Sequence, residues 1–188
     1  MKKLSRTQQK TRSKFIDALF EVMTDKPLEK ITVRDIVGIA GYNRSSFYLY
    51  FTDVFGLAAA AEDDVLEKMS AAAAEQFSQD GPVPMEDFMQ SLAVQASAYA
   101  DRISLLADSR SFRDKFMDLL RPTFARATGL DPEMKDYDYL ISLFFSIMLH
   151  NISYWSQHRE EVDLPELAEM TRNIILPGIK QLKELSVG

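Results

Sequence analysis

The chain has 188 residues, of which 46% are hydrophobic, and its 22 basic and 28 acidic side chains give a formal net charge of −6. It contains no cysteine, which excludes disulfides, zinc–thiolate sites and thiol catalysis. No run of about 18 apolar residues is present, and no apolar stretch follows the N-terminal lysines. We therefore expect no membrane-spanning helix and no signal peptide, and a cytoplasmic protein.

The charge is unevenly distributed along the chain. Residues 1–52 hold ten basic and five acidic side chains, whereas residues 53–188 hold twelve basic and twenty-three acidic ones. A basic head on an acidic body is typical of a protein that presents one end to a polyanion. The alternative is that a short helical N-terminus is basic by chance. The basic residues of the head are Lys2, Lys3, Arg6, Lys10, Arg12, Lys14, Lys26, Lys30, Arg34 and Arg44.

The first predicted element is a helix from about Leu4 to Met23, because apolar residues recur there at helical spacing. Helical periodicity continues along the rest of the chain, and strand signals are scarce. We therefore predict an all-α fold. The face of the first helix expected to be buried contains Phe15, Ile16, Leu19, Phe20 and Met23.

Two short helices should follow, separated by a tight turn. Thr32 opens the first of them with a capping box, in which its hydroxyl accepts from the Asp35 amide and the Asp35 carboxylate reaches back. Gly41 suits the turn because glycine adopts a positive φ without steric cost. Asn43 should cap the next helix, which ends near Phe51.

The remaining helices are longer. Asp53 should cap a fourth helix that runs to about Phe77, and the Gln79–Pro84 stretch is the clearest break beyond the head. These signals predict a three-helix head, 1–52, joined through the fourth helix to a larger helical domain, 53–188. The helices predicted after the break are Met85–Ala107, Ser111–Ala127, Glu133–Gln157 and Pro165–Leu185.

The segment Thr32–Leu57 carries the functional signal. A short helix, a tight turn and a second short helix match the helix-turn-helix unit of DNA-binding proteins. In the second helix, Phe47 and Phe51 can anchor to a core, while the other side chains are polar or amphipathic. Hydroxyls and arginine suit phosphate and guanine, and tyrosine suits phosphate and thymine methyl groups. These polar and amphipathic residues are Arg44, Ser45, Ser46, Tyr48 and Tyr50.

The same segment resembles the head of the TetR family of transcriptional regulators. The resemblance covers about the first 60 residues, and it is specific because it combines Ala40-Gly41 with the Phe47-Tyr-Leu-Tyr-Phe51 pattern at the right spacing. It implies phosphate contacts by Thr32, Tyr48 and Tyr50. It also implies base contacts by Arg34, Arg44, Ser45 and Ser46, with Tyr42 near the DNA backbone. The residues in register are Thr32, Ile36, Ala40, Gly41, Phe47, Tyr48, Tyr50, Phe51 and Leu57.

One position departs from the family pattern. The lysine that begins the fourth helix in the family, and that contacts a phosphate there, is Val54 here. We expect Asp53 to keep its capping role and the backbone contact to be lost. Arg6, Lys10 and Lys14 on the first helix are candidates to compensate.

The resemblance implies that the last two helices pair with those of a second copy in a four-helix interface. The helix around Tyr139–Trp155 is apolar on more than one face, which favours burial between neighbours. The alternative is burial within a monomer. The predicted interface residues are Phe144, Met148, Ile152, Leu167, Met170 and Ile174.

An effector pocket is predicted within the segment Phe88–Trp155. Aromatic and methionine side chains would line it and cationic side chains would anchor a ligand, although such residues at helical spacing also suit an ordinary core. His150 has the same alternative as a satisfied buried histidine. The candidate lining residues are Phe88, Met89, Tyr99, Phe112, Phe116, Phe124, Phe145 and Trp155, and the candidate anchors are Arg110, Arg113 and His150.

These observations predict a TetR-like regulator, and the resemblance implies a repressor. It would bind double-stranded DNA at a pseudo-palindromic operator as a homodimer, with its DNA affinity controlled by a small-molecule effector. With two histidines, no cysteine and no phosphate-cradling glycine loop, we predict no catalytic or metal site and no cofactor. The alternative is a dimeric helical interaction protein of related fold without sequence-specific DNA binding.

Overall fold

The structure is a computed structural model that describes residues 5–76 and 83–186. In these two ranges it contains α-helices and no strand, so the predicted all-α fold is confirmed. The helices are α1 (Arg6–Met23), α2 (Val33–Ala40), α3 (Arg44–Tyr48), α4 (Val54–Gln76), α5 (Met85–Leu106), α6 (Arg110–Thr128), α7 (Tyr137–Gln157) and α8 (Leu164–Ser186), with a single 3₁₀ turn at Leu28–Lys30.

The chain forms two compact units, Met1–Asp64 and Val65–Gly188. The division falls inside α4, whose first half belongs to the smaller unit. The predicted domain boundary after residue 52 separates a DNA-binding head from the rest of the chain, which is a functional division. It therefore stays a prediction. Most of the predicted break at Gln79–Pro84 lies outside the described residues.

Aromatic side chains form the core of the smaller unit. Phe15 of α1 lies edge-on to Phe47 of α3, with ring centroids 5.5 Å apart, and Phe51 lies 6.1 Å from Phe15. All three rings are buried. Each buried phenyl group contributes roughly 1.5–3 kcal/mol relative to exposure, so this cluster holds α3 against α1.

The predicted caps of the smaller unit are confirmed. The Asp35 amide donates to the Thr32 hydroxyl at 3.3 Å, and the Asp35 carboxylate accepts from the Thr32 amide at 2.9 Å. Gly41 has φ 72°, the left-handed conformation that glycine adopts without strain. The Ser46 amide donates to the Asn43 side chain at 2.8 Å, which fixes the first turn of α3. Sequence reasoning missed a further capping box, in which Ser5 begins α1.

In the larger unit α5 packs against α6, α7 and α8. Stacked and tilted phenyl rings link these helices: Phe88 and Phe144 have centroids 6.0 Å apart, and Phe124 lies 5.0 Å from Phe144. All three are buried, so the centre of this unit is a packed aromatic core.

Two helix boundaries differ from the sequence prediction. The helix α7 begins at Tyr137, not at Glu133, because the Glu133 amide donates to the Asp131 carboxylate at 2.9 Å and the chain turns there. The helix α3 ends at Tyr48 rather than near Phe51. The turn nevertheless continues, since the Phe51 amide donates to the Phe47 carbonyl at 3.0 Å.

None of the described helices is both long enough and apolar enough to span a membrane.

Candidate nucleic-acid interface and effector groove

The helix α3 presents one apolar side to the core and its remaining surface to solvent. Phe47 is fully buried, while Arg44 and Ser45 are exposed and Tyr48 is 58% exposed. The ring of Tyr48 lies edge-on to that of Phe47, with the ring centroids 5.5 Å apart. This contact holds the Tyr48 ring in place while its exposed end faces solvent. Four of the predicted DNA contacts, Ser46 included, therefore lie along one short helix.

Two arginines of this region have no protein partner in the described part of the chain. Neither Arg34 of α2 nor Arg44 of α3 forms a salt bridge within the described residues, and both are exposed. A guanidinium that is free of carboxylates keeps its donors available for a phosphate or for the O6 and N7 atoms of guanine. This is the electrostatic state that a DNA-reading edge requires.

The start of α2 is held by a cluster of polar groups. Lys26 lies 2.8 Å from one oxygen of Asp35, and the Thr32 hydroxyl donates to the other at 2.8 Å. The hydrogen bond from Lys26, followed by those from the Thr32 amide and hydroxyl, lowers the pKa of Asp35 to about 2. Because the Thr32 hydroxyl already donates to Asp35, a phosphate contact by Thr32 requires that proton to be redirected.

Tyr42 contacts α1 rather than standing free. Its hydroxyl lies 3.4 Å from that of Thr11, whose own proton is directed to the Thr7 carbonyl at 3.1 Å, so Tyr42 is the donor between them. The Lys14 ammonium lies 5.7 Å from the centroid of the Tyr42 ring. The turn between α2 and α3 is thus joined to a lysine of α1, which places Lys14 beside the predicted backbone contact.

Tyr50 is half-buried, unlike Tyr48. Its ring lies 6.1 Å from that of Phe15 and 6.3 Å from that of Phe51, so most of it belongs to the core edge. If Tyr50 contacts a phosphate, only its hydroxyl can do so, because the ring packs at the core edge. This phosphate contact stays a prediction.

Val54, which stands where the family pattern has a lysine, is buried. Asp53 caps α4 as predicted, since the Gly56 amide donates to its carboxylate at 2.7 Å. The first turn of α4 therefore contributes an apolar side chain to packing at a position where the family pattern has a cation.

Sequence reasoning gave no role to Leu49, which is 81% exposed. It lies four residues after Ser45, and its backbone has helical angles of φ −73° and ψ −21°. A helix turns by about 100° per residue, so Leu49 points about 200° away from Phe47, opposite to the core. The sequence does contain a signal for this exposure. Leu49 lies midway between the core residues Phe47 and Phe51, two residues from each, which places it on the opposite side of the helix.

The predicted pocket residues of the larger unit divide into two groups. Five of the aromatic residues are buried in the packed core, where Phe112 and Phe116 stack at 5.6 Å and Phe116 lies 5.3 Å from Phe145, which also borders a groove. Rings packed at these distances leave no room for a ligand between them. Phe88, Phe112, Phe116 and Phe124 belong to the buried core, and their role in lining a pocket stays a prediction.

Arg110, Arg113 and Phe145 instead lie together along an open groove of about 400 Å³ between α6 and α7. Arg110 lies 3.9 Å from the carboxylate of Asp114, and Arg113 has no acidic partner among the described residues. The groove therefore combines apolar side chains, serine hydroxyls and an uncompensated positive charge. Its other lining residues are Asp114, Met117, Ser142, Ser146 and Leu149.

The remaining pocket candidates are dispersed. His150 is exposed on α7, with its ring 6.2 Å from that of Tyr154, so neither a buried histidine nor a ligand anchor in an enclosed site is present there. Trp155 is half-buried beneath the guanidinium of Arg159, 4.6 Å from its ring centroid. Tyr99 is half-buried as well. Met89 lines two spaces, an open groove of about 480 Å³ between α5 and α8 and a cavity of about 30 Å³ that holds roughly one water molecule.

Three of the six predicted interface residues lie inside the protomer. Phe144, Met148 and Ile152 are buried on the side of α7 that faces α5 and α8. Because their own chain covers them, they cannot contact a second copy, and the interface prediction is corrected for all three. On α8, Leu167 is half-buried and Met170 and Ile174 are exposed, so these three stay candidates.

A different face of α7 is open and apolar. Tyr139, Leu143, Ile147 and Tyr154 recur at spacings that place them on one side of the helix, and we call them the α7 stripe. Tyr139 is 68% exposed, and Leu143 and Tyr154 are also among the exposed large side chains. Sequence reasoning missed this stripe because nearly every face of α7 contains apolar residues.

Within the described residues, no three or more histidine and acidic side chains come together in a way that could hold a metal ion.

Comparison with sequence models of known families finds no match, and comparison with curated protein sequences finds none either. Solved structures do match. The fatty acid degradation regulator FadR from Bacillus halodurans has a TM-score of 0.71 at 15% identity, over 94% of this chain and 98% of that one. A TetR transcriptional regulator from Streptococcus agalactiae has a TM-score of 0.62 at 20% identity, over 90% and 96%. FadR from Bacillus subtilis, in complex with stearoyl-CoA, has a TM-score of 0.57 at 17% identity, over 86% and 96%.

At these identities the likeness concerns the fold. The chain has the fold of TetR-family transcriptional regulators, in which a helix-turn-helix head precedes a larger helical domain. The resemblance to this family that the sequence shows over about the first 60 residues is thereby confirmed at the level of the fold. The likeness in fold extends over nearly the whole chain.

Proposed function

We propose that this protein is a homodimeric transcriptional repressor that reads a pseudo-palindromic operator with α3 and releases it when an effector binds the larger unit. The observation that carries the proposal is the solvent-facing edge of α3, where Arg44, Ser45 and Tyr48 stand beside a buried Phe47. The resemblance of this segment to TetR-type heads and the shared fold support it.

On the DNA, the side chains divide into two kinds of contact. Arg44 and Arg34 would read base edges, because their guanidinium groups have no partner among the residues that the structure describes. The exposed hydroxyl of Tyr48 and the ammonium of Lys14 would contact phosphates, which fix position rather than sequence. Two heads of a dimer would enter successive major grooves roughly 34 Å apart, and this requires an operator with two-fold symmetry.

Dimerisation is proposed to use the α7 stripe together with Met170 and Ile174 of α8. Both α8 side chains are exposed, Ile174 by 73%, and they lie one turn apart. Exposed large apolar side chains on two helices that pack against each other favour a protein–protein interface. A second copy covers them in the proposed assembly.

The effector is proposed to bind the groove between α6 and α7. Its apolar side chains, two arginines and two serines suit a ligand with an acidic group on an apolar body. The stearoyl-CoA complex of the Bacillus subtilis relative is an example of such a ligand on this fold. Binding would release DNA by favouring a spacing of the two heads that does not fit successive grooves.

The test is selection of bound sequences from a random DNA pool, followed by measurement of affinity against salt concentration. We expect a palindromic site and a steep salt dependence, with a slope of about −0.9 for each phosphate neutralised. Arg44→Ala should lose about 1–3 kcal/mol of discrimination at one base pair of each half-site.

Arg110→Ala is the matched control, because Arg110 is also an exposed arginine at the first position of a helix. Without effector it should bind as the parent protein does. Absence of an enriched sequence, or equal effects of the two substitutions, would contradict the proposed function.

The second candidate is a dimeric interaction protein that does not read DNA sequence. It is favoured by the burial of Val54, which removes a cation from the start of α4. In that case the protein would dimerise through the same faces but enrich no DNA sequence.

A further inference from the structure

Leu49 stands out among the large apolar side chains. At 81% it is the most exposed of those in the described residues, ahead of Ile174 at 73%. It belongs to the head, where the other side chains on the open surface of α3 are polar or amphipathic. A single exposed leucine is common on protein surfaces and by itself indicates no role. What distinguishes Leu49 is its place at the end of α3, on the helix proposed to enter the DNA groove.

The position of Leu49 on α3 is defined by its neighbours. Phe47 faces the core, and residues two before and two after it point to the opposite side, since each step turns the helix by about 100°. Ser45 and Leu49 are those residues, and both are exposed. They form the outermost line of the helix, the line that would lie deepest in a groove.

The major groove offers one apolar group to such a side chain, the C5 methyl of thymine. We propose that Leu49 is a specificity-determining residue that reads thymine through this methyl group, in a half-site where Arg44 reads guanine. This inference rests on the proposed DNA binding, and it adds a base preference that polar contacts alone do not supply.

The experiment uses the full-length protein and the operator recovered by selection. Each thymine of the half-site is replaced in turn by deoxyuridine, which lacks only the methyl group. For the parent protein we expect one thymine whose replacement weakens binding about fourfold, the value of one buried methyl group. Leu49→Ala should bind the thymine and deoxyuridine duplexes equally. In a double-mutant cycle, this loss of sensitivity shows that the leucine side chain and the thymine methyl group are coupled.

Two further variants separate the methyl contact from general effects. Leu49→Met keeps an apolar side chain and should keep the sensitivity to deoxyuridine. Val94→Ala shortens another exposed aliphatic side chain, on α5, and should behave as the parent protein. The melting temperature should be the same for all variants, because neither Leu49 nor Val94 is buried.

The inference is overturned if no thymine is sensitive, or if Leu49→Ala retains the parent's sensitivity at every position. Either result would leave the proposed function intact, because the parent protein would still bind its operator. If the parent protein enriches no sequence from the pool, both the inference and the proposed function fail.

Discussion

Arginine is used differently in the two units. In the head, Arg34 and Arg44 have no carboxylate partner among the described residues. In the larger unit, Arg121 donates to Asp138 at 2.6 Å, and Arg159 donates to a carboxylate of α5. Among the described arginines of the larger unit, all but Arg113 have an interaction partner. In the head, Arg6 and Arg12 of α1 are, like Arg34 and Arg44, without an ion pair in the described part of the chain.

Arg113 is the informative case in the larger unit. Within the described ranges it too lacks an ion-pair partner, and it lines the groove proposed to bind an effector. Surface ion pairs contribute little to stability, so the pairing of the other arginines is not required for folding. The comparison teaches that, in this acidic protein, a solvent-facing arginine without a partner marks a place where an anion from outside is expected.

The comparison treats the head and the larger unit as separate, and the largest effect that tests this separation is expected from Phe47→Ala. Removing this fully buried ring should lower the stability of the head by about 3–5 kcal/mol, because it leaves a cavity against Phe15 and Phe51. Helical circular dichroism reports both units, whereas the single tryptophan, Trp155, reports the larger one. Part of the helical signal should be lost at a lower temperature while the Trp155 transition stays in place.

Leu49→Ala is the control, since it shortens an exposed side chain of the same helix. If Trp155 and the helical signal shift together in Phe47→Ala, the two units do not unfold separately, and the comparison between them loses its basis.

The next effect concerns the proposed dimer face. Ile174→Glu places a charge where a second copy would bury it, so the dissociation constant of the dimer should rise about 100-fold or more. Light scattering coupled to size-exclusion chromatography should then show a shift towards monomer at micromolar concentration.

Val94→Glu introduces the same charge at a comparably exposed aliphatic position on α5. It should leave the oligomeric state unchanged. A parent protein that is already monomeric, or a dimer that survives both substitutions equally, would remove α8 from the proposed interface.

The smallest expected effect concerns the Lys26–Asp35 ion pair at the start of α2, in the head. The pKa of Asp35 is lowered from 3.8 to about 2, chiefly by Lys26, so its charge stabilises the folded state above pH 4. That contribution is lost as the pH falls from about 4 towards 2, because the unfolded chain takes up the proton first. Asp35→Asn keeps an acceptor for the cap but has no such charge.

Denaturation midpoints measured between pH 2 and 7 should fall less steeply for Asp35→Asn than for the parent protein in the acid range. Parallel curves would mean that the Lys26–Asp35 contact does not persist in solution.

Local signals in the sequence predicted the local structure well. The Thr32 capping box, the left-handed Gly41 and the Asn43 cap are each formed by groups within four residues of one another, so the sequence contains the whole interaction. The buried side of α3 followed from Phe47 and Phe51 for the same reason. The start of α7 was missed because the Asp131 turn competes with the helix there.

The orientation of α7 could not be predicted. Phe144, Met148 and Ile152 on one side and Tyr139 and Leu143 on the other are similarly apolar, so periodicity does not determine which side faces the core. Only packing against α5 and α8 decides it. The same limit explains why the aromatic residues assigned to a pocket proved to be core.

The valine at the start of α4 bears on how the protein would search a genome. With Val54 buried, each head has one cation fewer for the phosphate backbone, and the attraction to arbitrary DNA falls with every such loss. As the proposed regulator, the protein would spend less time bound to unrelated sequence, so a larger share of its copies would be free to reach the operator. Its occupancy of that operator would then depend more on the contacts made by α3 and less on the remaining cations of the head.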